Sequence, residues 1–258
     1  MADSDYAPTK FSDPDVTAKG ETRASVGWTG LKTLWLNTGT LCNIECANCY
    51  IESSPRNDRL VYLSRADVRP FLEEIDQPIE IGITGGEPFM CPEILGIMED
   101  VLSAGHSLLL LTNAMRPMMR PRIQQGLERL ATYYGDRMVL RVSLDSHDPA
   151  IHDAERGEGA FEEACKGLKW LGERSVRVAL AGRQALTEDE AAARAAYGAL
   201  ASTLGLSIDP ANTKHLVLFP EMIARDDPPE ITTACWGILN KSPDDIMCAN
   251  QRMVIRRK

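Results

Sequence analysis

The sequence predicts an α/β protein in which helices cover a parallel sheet. Short apolar runs alternate along the chain with longer segments of helical periodicity, which is the order of a parallel sheet with crossover helices. The 258 residues suffice for one core of α/β-barrel size. The six strand-like runs are fewer than the eight of a closed barrel of ~250 residues.

The predicted strands and helices follow from the period of the apolar residues. The strands are expected at residues 31–36, 79–84, 107–112, 138–144, 175–181 and 215–219. The helices are expected at residues 65–75, 92–104, 120–133, 161–172 and 188–204. Pro92 lies in the first turn of its helix, and Ser64, Asp148 and Thr187 stand where N-caps are expected.

Composition divides the chain into three parts. Residues 1–30, rich in Pro, Ser and Asp, are expected to form an irregular arm. The barrel is expected over 31–220. Residues 221–258 are expected to form a short C-terminal extension that ends like a strand cut short, which raises the prospect of a truncated domain.

Three cysteines directly after the first strand carry the strongest chemical signal. Cys42, Cys46 and Cys49 have the spacing C-x3-C-x2-C. A four-iron cubane on three thiolates leaves one iron open to another ligand. The competing interpretation is structural zinc, which takes four ligands. No His or Cys follows before Cys91, although a distant fourth ligand keeps zinc open.

A second motif follows the second strand, where the chain reads Gly85-Gly86-Glu87-Pro88. Alone it could be an ordinary turn. Together with the cysteine loop it resembles the radical S-adenosylmethionine (radical SAM) superfamily, with the resemblance extending over about residues 31–219. That resemblance implies a partial barrel of six βα units, open on one side, with room for a bulky substrate.

The resemblance also implies the cofactors and the reaction. Cys42, Cys46 and Cys49 would hold a [4Fe–4S] cluster whose fourth iron is chelated by S-adenosylmethionine (SAM). An electron from a flavodoxin or ferredoxin would cleave SAM to a 5′-deoxyadenosyl radical, which abstracts a hydrogen atom from the substrate. The leading substrate hypothesis is a peptide, protein or bulky precursor. A small-molecule radical enzyme, or a non-catalytic metal-binding or redox-sensing module, remains an alternative.

Further residues are implied as SAM contacts by their place in the family pattern. Glycines let backbone carbonyls approach the methionyl ammonium, and a carboxylate can accept its proton. The predicted cofactor-binding residues are Tyr50, Gly85, Gly86, Glu87, Thr112, Asn113, Ser143, Asp145 and Arg183. Thr112 and Asn113 could equally be a hydrogen-bonded strand end, and Arg183 could be solvent-exposed. No catalytic side chain can be named.

The remaining cysteines and histidines carry weaker signals. Cys91 and Cys165 are expected to be buried small apolar residues. Cys235 and Cys248 lie beyond the barrel, where some relatives hold auxiliary clusters, but two thiols are too few without help from another ligand. Within residues 145–161, Arg156-Gly157-Glu158-Gly159-Ala160-Phe161 resembles the loop before the fourth helix in peptide-modifying and cofactor-building members of the superfamily. The alternative is a flexible connection, and neither His147 nor His152 is predicted to be a catalyst.

Charge and hydropathy limit the partners. The chain has 28 Lys and Arg against 37 Asp and Glu, a net charge of −9, which argues against a nucleic-acid partner. No apolar run approaches the ~20 residues of a membrane span, and no secretory signal precedes the barrel. The sequence therefore predicts a cytoplasmic protein with reduced thiols and no membrane partner.

Overall fold

The computed structural model describes residues 9–174, 176–185, 187–221 and 227–258. By its contacts the chain divides into two compact units. The larger unit comprises Thr33–Glu221 and Met253–Lys258, and the smaller comprises Met1–Lys32 and Met222–Arg252.

The larger unit is built on a parallel sheet. The strands are β1 (Thr33–Asn37), β2 (Glu80–Thr84), β3 (Ser107–Thr112), β4 (Met138–Ser143), β5 (Arg177–Gln184), β6 (Leu216–Pro220) and β7 (Gln251–Val254). The sheet has the order β6-β5-β4-β3-β2-β1-β7. The pairs from β1 to β6 are all parallel. The six predicted strands are thus confirmed, in an open sheet of the partial-barrel type. The predicted first residue of the fifth strand, Ser175, lies outside the described residues.

Helices connect these strands. They are α1 (Arg65–Glu73), α2 (Ile94–Ser103), α3 (Pro121–Tyr134), α4 (Pro149–Arg156), α5 (Ala160–Gly172), α6 (Glu190–Thr203), α7 (Cys235–Leu239) and α8 (Met247–Asn250). The five predicted helices are α1, α2, α3, α5 and α6. Among the described residues no helix is both long and apolar enough to cross a bilayer.

Three sequence-based expectations about helices were wrong. Pro92 does not lie in the first turn of α2, because the helix begins at Ile94 after its N-cap Glu93. The segment 145–161 is not merely a connection, because it contains α4, where Asp148 accepts hydrogen bonds from the Ala150 and Ile151 amides. Thr187 is not an N-cap. Asp189 caps α6 instead, accepting from the Ala192 amide. The Ser64 cap of α1 is confirmed as a capping box with Asp67.

The alternation of side chains along the strands separates a core face from an inner face. On β4, Met138, Leu140 and Val142 are buried, whereas Arg141 and Ser143 are half-buried. Register places buried residues of neighbouring strands side by side, as with Leu110 and Leu140. The apolar face lies under the helices. The inner face is mixed, since Val139 and Leu111 share it with Arg141 and Ser143, and it leads to the carboxyl ends of the strands, where barrel enzymes build their sites.

The smaller unit joins two distant segments of the chain. Arg23 forms an antiparallel bridge with Thr232, and the Thr29 amide donates to the Ala249 carbonyl. The Glu230 carboxylate accepts from the Phe11 and Ala18 amides. The described part of the N-terminal arm therefore pairs with the described part of the C-terminal extension.

Candidate active site

The three motif cysteines lie in one loop after β1. Cys42 is buried, and Cys46 and Cys49 are half-buried. The Cys42 amide donates to the Ser54 carbonyl at 3.1 Å, and the Cys49 amide donates to the Cys46 carbonyl at 3.3 Å. All three are free thiols, so the loop offers three sulfur donors.

Burial dominates the electrostatics of this loop. It raises the pKa of Cys42 to about 12, and the nearby Glu87 carboxylate and the other two thiols add to the rise. Burial also raises the pKa of Cys46, while Arg156 opposes that rise. Metal ligation requires thiolates, so binding here must displace protons.

The donor set fits an iron–sulfur cluster. Three thiols from one loop match a cubane that takes its fourth ligand from elsewhere. Within the described residues no group of three or more His, Cys, Asp or Glu side chains is arranged to hold a single metal ion. In a cubane each thiolate binds a different iron, so the sulfurs need not converge on one point.

The glycine turn after β2 packs directly against the cysteine loop. The Gly86 amide donates to the Gly39 carbonyl at 2.8 Å, and the Glu87 amide donates to the Leu41 carbonyl at 3.1 Å. A Cβ on Gly86 would lie 2.2 Å from the Leu41 oxygen. Gly85 has a φ of 141°, which favours glycine. The glycines are therefore required by the close approach of two backbone segments.

Glu87 ties the ends of β2 and β3 together. Its side chain is buried, with the residue 1% exposed. It accepts from the Thr112 hydroxyl at 2.9 Å, the Asn113 amide at 2.9 Å and the Phe89 amide at 3.1 Å. Burial raises its pKa against these bonds. The Thr112 hydroxyl also lies 3.1 Å from the second carboxylate oxygen, so both oxygens are hydrogen-bonded, and the SAM contact of Glu87 stays a prediction.

Thr112 and Asn113 form the hydrogen-bonded end of β3. The Asn113 side-chain amide donates to the Asn43 oxygen at 3.0 Å and lies 3.9 Å from the Cys42 sulfur. Asn113 thus connects β3 to the cysteine loop. The strand-end interpretation describes these contacts, and a SAM contact for either residue stays a prediction.

An ion-pair cluster lies at the ends of β4 and β5. The Asp145 carboxylate accepts from Arg156 at 2.6 Å and 3.3 Å, and from Arg183 at 3.3 Å. Burial favours the neutral acid, but the two guanidinium groups outweigh it and hold the pKa of Asp145 below its usual value. The sequence analysis named Arg156 only as the first residue of a loop pattern and did not predict its pairing with Asp145.

The other predicted residues have varied surroundings. Tyr50 is 79% exposed, and Ser143 is half-buried at the end of β4. Cys91 is buried as predicted, whereas Cys165 is only half-buried on α5. His152 is buried, and neither of its ring nitrogens has a hydrogen-bond partner among the described residues.

The open parallel sheet and its three-thiol loop define an α/β enzyme scaffold with an iron–sulfur donor set. The profile of the radical SAM superfamily matches residues 36–191. The chain belongs to the radical SAM superfamily, whose enzymes use a [4Fe–4S] cluster and SAM.

Curated relatives include two biosynthetic proteins. The antilisterial bacteriocin subtilosin biosynthesis protein AlbA of Bacillus subtilis is 34% identical over 146 residues, which are 54% of this chain and 30% of AlbA. The mycofactocin maturase MftC of Mycolicibacterium smegmatis is 28% identical over 132 residues, which are 50% of this chain and 31% of MftC. The matched region thus spans less than a third of either relative.

A solved structure shares the fold. SuiB of Streptococcus suis bound to S-adenosylmethionine superposes with a TM-score of 0.58 at 15% identity, covering 87% of this chain and 50% of SuiB. SuiB has also been solved bound to its precursor peptide SuiA, with a TM-score of 0.57 at 14% identity, covering 74% of this chain and 40% of SuiB. At this identity the likeness shows the fold.

Proposed function

We propose that this chain binds a [4Fe–4S] cluster through Cys42, Cys46 and Cys49 and modifies a peptide, protein or bulky precursor. When bound, cluster and SAM together supply a 5′-deoxyadenosyl radical that takes a hydrogen atom from the substrate. The observation that carries this proposal is the direct backbone bonding between the cysteine loop and the Gly85–Gly86 turn. It brings the cluster ligands and the proposed SAM-binding turn to one edge of the sheet.

The chain's own residues would bind and orient SAM around this edge. Gly85, Gly86 and Glu87 would receive the methionyl ammonium, and Thr112 and Asn113 would support them from β3. Glu87 suits this role because a carboxylate accepts strongly from an ammonium group. The Thr112 hydroxyl and the Phe89 and Asn113 amides already fix its orientation.

Two further groups fit the remaining parts of SAM. Arg183 contacts Asp145 through its Nε at 3.3 Å, and the terminal nitrogens of a guanidinium can pair with the SAM carboxylate. Ser143 and Asp145 would contact the ribose or carboxylate, and the exposed ring of Tyr50 is available to stack on the adenine.

The substrate class is proposed from the relatives and the open sheet. AlbA is named for the biosynthesis of the bacteriocin subtilosin, MftC is named as a mycofactocin maturase, and SuiB has been solved with the precursor peptide SuiA. The strand β6 lies at one edge of the open sheet, and the exposed Phe219 on it offers an apolar contact for a large substrate. We propose a flavodoxin or ferredoxin as electron donor and a cytoplasmic location, where free thiols stay reduced.

The cluster is tested by anaerobic reconstitution. The wild-type chain should bind about four irons and four sulfides. Cys46→Ala should lose them, because the cluster needs all three thiolates of the loop. Cys165→Ala, on α5 outside the loop, is the matched control and should load normally. A stoichiometric zinc with no iron uptake would overturn the cluster assignment.

Turnover is tested with the reconstituted protein, dithionite and SAM. Formation of 5′-deoxyadenosine that rises on adding the peptides encoded beside this gene, with a changed peptide mass, would support the proposal. Loss of 5′-deoxyadenosine in Arg183→Met with retained iron would support the SAM-carboxylate role. Stimulation by a protein-free metabolite extract but by no peptide would favour the small-molecule alternative and overturn the peptide assignment.

A further inference from the structure

We propose that the last turn of α4 is a clamp, formed by Glu155 and Arg156, that fixes the cysteine loop and holds a permanent positive charge beside the cluster. This inference rests on the proposed function for the presence of the cluster. The two residues are adjacent in sequence, but Glu155 contacts the loop after β1 and Arg156 contacts Asp145 at the end of β4. Together they connect the loop after β1 to the ends of β4 and β5.

Glu155 fixes the middle of the cysteine loop. Its carbonyl accepts from the Ala47 amide at 2.9 Å. Its carboxylate accepts from the Asn48 side-chain amide at 2.9 Å and 2.8 Å. Ala47 and Asn48 are exposed and lie between the second and third cysteines. These bonds therefore hold the stretch that sets where Cys46 and Cys49 stand relative to one another.

Arg156 supplies the charge. Its side chain is 12% exposed and pairs with both oxygens of Asp145. Arg183 also pairs with Asp145, so two guanidinium groups share one carboxylate. These three side chains together carry a net charge of +1. Arg156 interacts electrostatically with the thiols of Cys46 and Cys42, and its burial limits screening by salt.

A fixed positive charge makes reduction of a nearby iron–sulfur cluster easier. Reduction adds a negative charge, and the net charge and hydrogen bonds around a cluster set its potential. Asp145 holds the Arg156 guanidinium by a bidentate pair, which restricts its orientation. Arg156 is thus a positioning residue that acts on the cluster through its charge, while Glu155 acts through loop geometry.

The charge is tested by redox titration of the reconstituted cluster without SAM, followed by EPR. Arg156→Met should shift the midpoint potential to more negative values, and Arg156→Lys should restore part of it. Arg129→Met, which removes an equal charge from an exposed side chain on α3, should leave the potential unchanged. An unshifted potential in Arg156→Met with full iron content would overturn the charge role. If that variant loads poorly, an unshifted potential in Asp145→Asn, which removes a negative charge from the same group of side chains, would do the same.

The loop contact is tested in the apo protein by hydrogen exchange, so it does not depend on the cluster. Asn48→Ala and Glu155→Ala should each speed exchange around residues 43–50, by about tenfold if one charge-assisted hydrogen bond of ~1.5 kcal/mol is lost. The double variant should add little, because both changes break the same contact. Glu155→Gln, which keeps an acceptor, should give an exchange rate between those of the wild-type chain and Glu155→Ala. Unchanged exchange in both single variants would overturn the clamp, whereas failure of the wild-type chain to load iron would overturn the proposed function instead.

Discussion

His152 is a buried imidazole with no hydrogen-bond partner among the described residues. Its ring packs edge-on to Phe161 at 5.7 Å. Burial, followed by Arg156, lowers the pKa of His152 to about 4, while Asp145 and Asp153 oppose the shift. The side chain is therefore neutral in the folded protein at pH 7. His152 therefore affects the free energy of unfolding only at pH values where its imidazole would be protonated in the unfolded chain.

Stability should therefore fall as the pH drops from 6.5 towards 4. In that window the unfolded chain binds a proton that the folded protein excludes, so folding loses about 2 kcal/mol by pH 5. His152→Leu should lack this loss. Urea unfolding of both proteins at pH 7 and pH 5 measures it, with His215→Leu as the control. Equal pH dependence in the wild-type chain and His152→Leu would show that another group titrates.

Some site residues could be predicted from the sequence and others could not. Cys42, Cys46 and Cys49 are recognisable because their spacing is itself the chemical requirement. Asp145 was predicted as a SAM contact, but its pairing with Arg156 depends on α4, eleven positions along the chain. The alternation of side chains along a strand predicts which face of the sheet Asp145 lies on, but it cannot predict which side chain pairs with Asp145.

At the scale of elements, α5 packs against the loop after β3 at a glycine. A Cβ on Gly167 would lie 1.9 Å from the Ala114 carbonyl oxygen. That oxygen belongs to the backbone, and Ala114 already has a φ of 57°. The helix can approach this closely only because position 167 lacks a side chain.

Gly167→Ala should therefore destabilise the protein although alanine favours helix. Propensity gains up to about 1 kcal/mol, but the steric shift should cost more, for a net loss of about 1–3 kcal/mol. Gly126→Ala on α3 is the control, because its Cβ would meet the terminal carbons of Leu95, a flexible side chain. Urea unfolding at pH 7 compares them. A loss as large in Gly126→Ala would mean that the backbone contact is not decisive.

The strands were predictable because the core face demands alternating or continuous apolar residues, as in β3. The helix α4 was not predictable from periodicity, since His152 is its one buried residue. The Asp148-Pro149 pair was the available signal, a cap followed by proline in the first turn.

At the scale of the whole molecule, the smaller unit joins residues from both parts of the chain, and Glu230 is its main polar link. The carboxylate accepts from the Phe11 and Ala18 amides at 2.9 Å and 2.8 Å, and from Arg23 at 2.6 Å. Composition could not predict this pairing, because residues 9–32 show no periodic pattern of apolar residues that would indicate which segment they pack against. The link becomes visible only when the two segments are brought together.

Glu230 should make this unit sensitive to acid. The Phe11 amide, followed by the Ala18 amide and Arg23, lowers the pKa of Glu230 to about 2 from 4.5. A carboxyl with a lowered pKa stabilises the fold above its unfolded value, and this stabilisation disappears as the pH falls from 4.5 towards 2. Hydrogen-exchange protection of residues 9–32 and 227–252 should fall over that range. In Glu230→Gln it should be weaker at pH 5 and should change less with pH than in the wild type, because the charged acceptor at position 230 is absent throughout. Glu21→Gln, in the same unit, should follow the wild-type profile, and a Glu230→Gln profile as steep as the wild type would show that Glu230 does not hold the two segments together.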